Sequence, residues 1–200
     1  MIKRDRKILD TVEQFRCLSR DQVAMLFFNH CKKPVTNANN ALKRLRDRGY
    51  LDIARDMQPY VYMIKPAPIK SNSNKIEHFK AIGDVYIALK QRYNIKTFDV
   101  EPRYDNTRVR PDIFTIAKGT PFFIEVQNSV YTNRTMQKKI DLYKEYYASG
   151  DYASFTWQPK NKTPIFPYII LISKVKYEID SDELQVLQFK TVEDFIKALG

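Results

Sequence analysis

The sequence predicts an α+β protein in two parts: a helical amino-terminal part that ends in a β-hairpin, and a carboxy-terminal part of mixed helices and strands. Two observations carry this prediction. Apolar residues recur at helical spacing through the first 48 residues and continue in two short strand-like runs. A stretch at 65–74, rich in proline and serine and without periodicity, precedes a second series of helix and strand patterns. We therefore predict domains at 1–66 and 76–200, joined by a linker at 67–75.

The amino-terminal part contains three predicted helices and a predicted hairpin. The helices span 4–15, 19–28 and 37–48, and the strand-like runs of the hairpin span 50–54 and 60–64. Ser19 and Gln22 form a capping box at the start of the second helix. Thr36 caps the third helix, and Gly49 ends it. Three helices followed by a hairpin, in about 65 residues, is the element order of a winged helix-turn-helix.

The carboxy-terminal part predicts an α/β domain, because helix and strand patterns alternate along it. The predicted helices span 76–93, 134–147 and 192–199, and the predicted strands span 96–104, 112–117, 121–127, 167–173 and 184–189. The run at 167–173 is almost entirely apolar, which is typical of a strand inside a sheet that is covered on both faces. Thr191 caps the last helix.

The net charge of +11 indicates a polyanionic partner. Residues 1–70 hold 15 Lys/Arg and 7 Asp/Glu, a balance of +8, which leaves 19 and 16, or +3, for the other 130 residues. A concentrated basic surface attracts nucleic acid, because each neutralised phosphate releases counterions. Acidic lipid is the competing partner, but no basic amphipathic helix with a wide apolar face accompanies the charge. Nucleic acid is therefore the favoured partner.

The composition argues against several other classes of protein. No run approaches the roughly 18–20 apolar residues of a membrane span, and no apolar signal-peptide core follows the basic start. We therefore expect a cytoplasmic protein without membrane contact. Cys17 and Cys31 stand alone, and the two histidines lie far apart, which argues against a structural zinc site. Five glycines without a phosphate-binding loop argue against a small-molecule cofactor of the nucleotide type.

The third predicted helix carries an unusual polar surface. Its apolar residues gather on one side: Ala38, Ala41, Leu42 and Leu45. The predicted DNA-binding residues lie on the opposite side or flank it: Thr36, Asn37, Asn39, Asn40, Lys43, Arg44 and Arg46. Asparagine pairs with adenine in the major groove, and lysine or arginine reaches guanine or phosphate. Arg55, in the hairpin turn, is predicted to contact phosphate or the minor groove. The alternative is a solvated polar face on an ordinary helical bundle, with Arg55 as a solvated turn residue.

A second group of candidate site residues contains two carboxylates. Asp112 opens one predicted strand and Glu125 lies near the end of the next, so two antiparallel strands with a tight turn bring both to one end of the sheet. Such oxygens, with Gln127 on the same face as Glu125, can hold Mg²⁺, which activates water at a scissile phosphate. Glu101 and Glu77 are candidates for a third acidic metal ligand.

The alternative to a metal site is a structural role for both acids. Asp112 is then a turn residue at the start of its strand, and Glu125 pairs with Arg110 or Lys139. An acidic residue inside the apolar run around Glu125 argues for a functional or ancestral site, because burial of an unpaired charge is costly.

The segments Pro111-Asp112 and Glu125-Val126-Gln127 resemble the motif of the PD-(D/E)XK nuclease superfamily. More narrowly, the chain resembles the replication-relaxation family of plasmids, phages and integrative elements. Proteins of that family join a winged helix to such a domain and carry a lysine and a tyrosine on the following helix, here Lys139 and Tyr143. The resemblance implies a winged helix-turn-helix followed by a PD-(D/E)XK restriction-endonuclease-like α/β domain.

The resemblance also implies roles for single residues. It makes Asp112 and Glu125 the catalytic acids, with Mg²⁺ as the cofactor; Glu101 stays a candidate for a further metal ligand on its own acidic character. The usual lysine of the superfamily is Gln127 here, and a neutral amide supplies no positive charge. Lys138 or Lys139, on the following helix, is the candidate for that charge.

Three functions follow as hypotheses. The first is a double-stranded DNA-binding protein of a mobile element, acting in replication, transfer or transcriptional regulation, with the nuclease-like domain as a scaffold or dimerisation surface. The second is an Mg²⁺-dependent endonuclease that the winged helix targets to DNA. The third is a protein-interaction module, which predicts no salt-dependent DNA binding. A homodimer is expected if the DNA site is palindromic.

Overall fold

The computed structural model describes residues 1–54, 57–105, 107–181 and 183–200, and over these residues the chain forms six α-helices, one short 3-10 helix and two β-sheets. It is therefore an α+β protein, as predicted. The chain divides by packing into two compact units, Met1–Ile87 and Ala88–Gly200. The boundary between the units lies inside a helix, and the predicted domain bounds, 1–66 and 76–200, stay a prediction.

The first unit contains three helices and a small sheet before a fourth helix begins. The helices are α1 (Lys3–Gln14), α2 (Arg20–Phe27), α3 (Pro34–Asp47) and α4 (Lys75–Arg92), and α4 continues into the second unit. The strands are β1 (Leu18–Ser19), β2 (Leu51–Ala54) and β3 (Val61–Ile64), which form an antiparallel sheet in the order β1-β3-β2. The predicted hairpin is therefore present as β2 and β3.

Local sequence signals set the starts of α2 and α3. The predicted capping box is confirmed: Ser19 Oγ accepts from the Gln22 backbone N–H at 3.2 Å, and Gln22 Oε1 accepts from the Ser19 N–H at 2.9 Å. The predicted cap at Thr36 is wrong, because α3 begins earlier, at Pro34, and Thr36 lies inside it. Proline at the first helical position has its φ already set and loses no helical hydrogen bond, so it starts the helix ahead of the threonine.

The second unit is a five-stranded mixed sheet with helices against it. Its strands are β4 (Thr97–Val100), β5 (Ile113–Ala117), β6 (Thr120–Gln127), β7 (Tyr168–Ser173) and β8 (Val186–Phe189), in the order β4-β5-β6-β7-β8. The first three strands are antiparallel, and β6, β7 and β8 are parallel. The further helices are α5 (Asn133–Ser149), which follows β6, and α6 (Val192–Leu199), and the 3-10 helix spans Asp151–Ser154. Every residue of β7 after Tyr168 is buried, as its apolar sequence predicts.

Two predicted strands are shorter than expected. The strand predicted at 96–104 ends at Val100, because Glu101 adopts a positive φ of 45° and so leaves the extended conformation. The strand predicted at 184–189 begins at Val186.

The alternation of side chains along β6 separates two layers of the second unit. Phe122 packs against Phe195 of α6, with ring centroids 5.5 Å apart. Its neighbour Phe123 points to the other face and packs against Tyr143 of α5, at 5.6 Å. α5 and α6 therefore lie on opposite faces of the sheet, and Glu125, two residues after Phe123, faces α5. No helix in the described part of the chain is both long and apolar enough to cross a membrane.

Candidate functional site

The helix α3 presents a polar surface whose burial follows the predicted pattern. Its four buried residues are those of the predicted apolar side: Ala38, Ala41, Leu42 and Leu45. The exposed members of the predicted set are Thr36, Asn39, Asn40, Lys43 and Arg46, and the half-buried ones are Asn37 and Arg44. We call these seven residues the α3 face. The side chains of Asn39, Asn40 and Lys43 on this face are exposed to solvent.

Two arginines of the α3 face already have acidic partners. Arg44 binds Asp5 of α1 with two hydrogen bonds, at 2.6 Å from Nη2 and 3.1 Å from Nε. Asp5 is only 1% exposed, and its hydrogen bond with Arg44 raises the pKa of that guanidinium. Arg46 Nη2 lies 2.8 Å from Asp47 Oδ1. Arg44 therefore fixes α3 against α1, and this anchoring role was missed at the sequence level.

A signal for the Arg44–Asp5 pair was present in the sequence. Asp5 lies three and four residues before Ile8 and Leu9, on the apolar stripe of α1. A carboxylate on the buried side of a helix needs a cation, because an unpaired buried charge is costly. The sequence does not identify the partner, which lies 39 residues away.

The β2–β3 hairpin forms a basic cavity with the end of α3. The cavity has a volume of about 820 Å³, and among the described residues its lining includes the cationic side chains of Arg46, Lys65 and Lys70. Asp52 also lines it, 3.9 Å from Lys65. Arg55, the predicted contact in the hairpin turn, lies outside the described residues. The cavity therefore places positive charge beside the carboxy-terminal end of the α3 face.

In the second unit, the strand register makes Asp112 and Glu125 neighbours. β5 and β6 are antiparallel with Ile113 opposite Ile124, so Asp112, one residue before β5, stands opposite Glu125. The backbone N–H of Val126 donates to Asp112 Oδ2 at 2.7 Å, which holds the carboxylate against β6. The pairing of these two acids at one end of the hairpin is the arrangement that the sequence predicted.

Glu125 is fully buried and both of its oxygens have partners on α5. The Tyr143 hydroxyl donates to Oε1 at 2.6 Å, and Lys139 Nζ lies 2.5 Å from Oε2. Lys139 and Tyr143 are four residues apart, which places them on one side of α5. We call Asp112, Glu125, Lys139 and Tyr143 the carboxylate cluster. The sequence predicted Arg110 or Lys139 as the partner of Glu125, and the structure pairs Glu125 with Lys139.

Burial and charge set the protonation of the carboxylate cluster. Burial raises the pKa of Glu125 from its ordinary 4.5 to about 7, the charge of Lys139 opposes this rise, and Asp112 adds to it. Burial lowers the pKa of Lys139, but the charges of Glu125 and Asp112 outweigh it, and the net pKa is raised. Lys139 therefore keeps its proton at neutral pH, while Glu125 exchanges a proton near pH 7.

The other predicted site residues are placed around the cluster or away from it. Gln127 is 9% exposed and stands opposite Ser173 in the β6–β7 register, on the same face as Glu125. The backbone N–H of Glu101 donates to the backbone carbonyl of Asp112 at 2.9 Å. This bond joins the two backbones and does not involve either carboxylate. Glu77 forms an ion pair with Lys80 in the first unit. Lys138 is exposed.

The carboxylate cluster offers two acidic side chains, those of Asp112 and Glu125, to a divalent cation. Mg²⁺ requires near-octahedral oxygen ligands and usually keeps several waters. Glu125 Oε1 accepts a hydrogen bond from the Tyr143 hydroxyl, and Asp112 Oδ2 accepts one from the Val126 N–H. Glu125 Oε2 is ion-paired with Lys139 but has no hydrogen-bond partner in the described residues. In the described residues, no three His, Cys, Asp or Glu side chains are grouped so that they could hold a metal ion.

Replacing Glu125 with glutamine is expected to flatten the pH dependence of stability. Because the pKa of Glu125 is about 7 in the folded protein and 4.5 ordinarily, the folded state binds the proton more tightly. The resulting stabilisation is fully present below about pH 4.5 and is lost as the pH rises through about 7. Over this window the free energy of unfolding of the wild type should fall by about 3 kcal/mol more than that of Glu125→Gln.

Urea unfolding at several pH values measures this difference. Glu145→Gln is the matched control, since Glu145 lies on α5 but is exposed and pairs with Arg108 at the surface. This control should keep the wild-type dependence. Equal slopes for the wild type and Glu125→Gln would show that Glu125 does not titrate in this range.

Comparison with known proteins assigns the chain to a family. No curated protein and no solved structure matches it significantly. Residues 9–160 match a family model described as Replication-relaxation, and this match covers more than half of the chain. Membership supports a role in replication or in a mobile element. The match includes α3, the hairpin, both acids and the α5 residues that bind Glu125. The chain therefore belongs to the replication-relaxation family.

Proposed function

We propose that this protein binds double-stranded DNA through a winged helix-turn-helix in its first unit and serves the replication, transfer or transcriptional regulation of a plasmid, phage or integrative element. The observation that carries the proposal is the α3 face, with two exposed asparagines and an exposed lysine on a helix that is buried on its other side. Family membership and the net charge of +11 support it.

The order of elements in the first unit supports the winged-helix assignment. α2 and α3 are separated by a short turn segment, and a hairpin of two four-residue strands follows α3. In helix-turn-helix proteins, the second helix of the pair enters the major groove with its exposed side chains towards the bases. α3 has this position in the order, and β2–β3 has the position of the wing.

The chemistry of the α3 face suits base recognition. An asparagine side chain can donate to and accept from adenine at once, and a lysine can donate to guanine or to a phosphate. Asn39 and Asn40 are poor helix formers, so their presence in the middle of α3 lowers helix propensity without any gain from packing. Contact with DNA bases is a physical reason for placing them there.

Positive charge on either side of α3 supports phosphate contacts. Lys32 and Lys33 are exposed immediately before the helix. Arg46, Lys65 and Lys70 line the cavity beside its other end. Cations at both ends of a recognition helix can hold the two strands that border a groove, and such contacts position the protein without reading sequence.

For the second unit we propose a PD-(D/E)XK-like scaffold or dimerisation role. The antiparallel strands β4, β5 and β6, the helix α5 and the parallel strand β7 are consistent with the element order of that superfamily. The motif resemblance makes Asp112 and Glu125 the candidates for its acidic positions. The second candidate, an Mg²⁺-dependent endonuclease, is favoured by the adjacency of these two acids. Plasmid cleavage with Mg²⁺ or Mn²⁺ separates the candidates: cleavage that Asp112→Ala and Glu125→Ala abolish would establish the nuclease.

Binding to a random-sequence duplex at two salt concentrations tests DNA binding. Affinity should fall steeply between about 50 and about 200 mM salt, because phosphate contacts release counterions. Replacing Lys32, Lys33 and Lys43 with alanine should reduce the slope of log affinity against log salt by about 2 to 3. The control removes three exposed lysines of the second unit: Lys160, Lys162 and Lys174.

The control variant should keep the wild-type slope. Affinity that does not change with salt would reject DNA binding and favour a protein-interaction module. Equal slopes in the two triple variants would reject α3 as the binding surface.

A further inference from the structure

The ion pair between Asp5 and Arg44 uses only part of the arginine. A guanidinium group carries five N–H donors. Asp5 accepts from Nε at 3.1 Å and from Nη2 at 2.6 Å, which occupies two of them. The other three, two of which belong to Nη1, have no acceptor in the described part of the chain. The Arg44 side chain is 38% exposed and that of Asp5 only 1%, so a ligand can reach the arginine but not the acid.

Arg44 lies beside a residue that is proposed to contact bases. Asn40 and Arg44 are four residues apart on α3, which places them on the same side of the helix, one turn from each other. Asn40 is exposed, whereas Arg44 is half-buried and therefore lies at the edge of the α3 face. When the centre of such a face meets the bases, its edge meets the phosphates that border the groove.

We propose that Arg44 binds a DNA phosphate with the N–H groups that Asp5 leaves open, and that Asp5 is the positioning residue that aims them. This inference rests on the proposed function, because it requires that α3 lie in a DNA groove. It adds to that function a residue outside α3, one that touches no DNA and acts through Arg44.

Anchoring of α1 to α3 does not by itself require an ion pair. Asp5 lies on the buried side of α1, together with Ile8, Leu9 and Val12. Apolar residues of similar volume at the place of a buried ion pair often stabilise a fold equally well or better. The two hydrogen bonds to Asp5 do what apolar residues cannot do, because they fix the orientation of the guanidinium plane. An arginine that is held before DNA binds loses less conformational freedom on binding.

The surroundings of the ion pair are positively charged. Lys3, Arg4 and Lys7 are exposed neighbours of Asp5 in the first two turns of α1. The guanidinium of Arg4 lies over the ring of Phe28, 4.9 Å from its centroid. The pair of Asp5 and Arg44 is neutral as a whole, so these cations supply the net charge that attracts a phosphate to this edge of α3.

Replacing both partners with apolar residues separates anchoring from DNA binding. Asp5→Leu/Arg44→Met leaves the net charge at +11 and should keep the fold, since no charge remains unpaired. Fluorescence anisotropy with a random-sequence duplex, at several salt concentrations, should show a slope of log affinity against log salt that is smaller by about 1. A purely anchoring role predicts the wild-type slope, and that slope in the folded double variant would overturn the proposal.

Asp5→Asn tests the positioning role by the sign of its effect. The change removes a negative charge, so an arginine that acts only as a charge should bind the duplex equally well or more tightly. Loss of a fixed orientation should weaken binding about two- to tenfold, the cost of ordering one long side chain. Asp10→Asn is the matched control, because Asp10 is an exposed acid of α1 that pairs with Arg6. It should not weaken binding, and equal effects of the two variants would overturn the role of Asp5.

The remaining outcomes are also decisive. If circular dichroism shows that the double variant is not folded, Arg44→Lys takes its place, because it keeps an ion pair with Asp5 but has no second amino group. Its slope should also be smaller by about 1, and the wild-type slope would count against the proposal. Binding by the wild type that does not depend on salt would reject the proposed function and this inference together. Salt-dependent binding that the double variant fully retains would reject this inference alone.

Discussion

Replacing Glu125 with alanine is expected to lower the free energy of unfolding by about 3 to 5 kcal/mol, the usual result of removing one partner of a buried ion pair. The substitution leaves the ammonium of Lys139 without its carboxylate and the buried hydroxyl of Tyr143 without its acceptor. It also leaves space at a position of β6 that has no solvent exposure. Few single changes remove a charge partner, a hydrogen-bond acceptor and packing at once.

Urea unfolding of four proteins resolves this effect: the wild type, Glu125→Ala, Lys139→Ala and the double variant. The double variant should be more stable than the sum of the two single losses predicts, because it leaves no unpaired charge. Glu145→Ala is the control on the same helix, and its exposed pair with Arg108 should contribute about 0 to 1 kcal/mol. A loss below about 1 kcal/mol for Glu125→Ala would contradict burial of the pair.

Replacing Asn40 with alanine is expected to weaken binding to the selected DNA site by about 10- to 100-fold, the loss that follows from removing one bidentate base contact. Affinity for random duplex should not change, because Asn40 carries no charge. Lys43→Ala should weaken binding to both DNAs and should reduce the slope of log affinity against log salt by about 1. Neither change should affect folding, since both side chains are exposed.

The DNA site for this measurement is obtained by selecting the duplexes that the wild type binds from a random library. Fluorescence anisotropy then measures the affinity of each variant for that site. Asn94→Ala is the matched control, because Asn94 is exposed and lies in the second unit, outside α3. Unchanged affinity in both Asn40→Ala and Lys43→Ala would reject the α3 face as the reading surface. Loss of helical signal in either variant would contradict the burial pattern of α3.

Features that depend on short stretches of chain were predicted well. The buried side of α3 follows from residue spacing, because one helical turn is enough to bring Ala38, Leu42 and Leu45 together. The capping box at Ser19 and Gln22 spans three residues and forms as expected. The exception is the start of α3. Pro34 and Thr36 are both helix-start signals, and the helix begins at Pro34.

Features that join distant segments were predicted only as sets of alternatives. The sequence left Glu125 with two partners, Arg110 and Lys139, and the structure selects Lys139. The choice depends on the β6 register and on the path of α5 over the sheet, neither of which is a local property. The pair of Asp5 and Arg44 was not predicted at all, because the packing of α1 against α3 joins residues 39 positions apart.

The sequence by itself therefore determined the order of helices and strands, the polar side of α3 and the two acids that stand together. Residue spacing within one element and the pairing of two strands joined by a short turn are sufficient for these features. Only the tertiary structure decided that Arg44 anchors α3 to α1 and that Lys139 and Tyr143 occupy both oxygens of Glu125. A buried charge binds whichever opposite charge the packing of distant elements brings within reach, and this packing is a property of the whole fold.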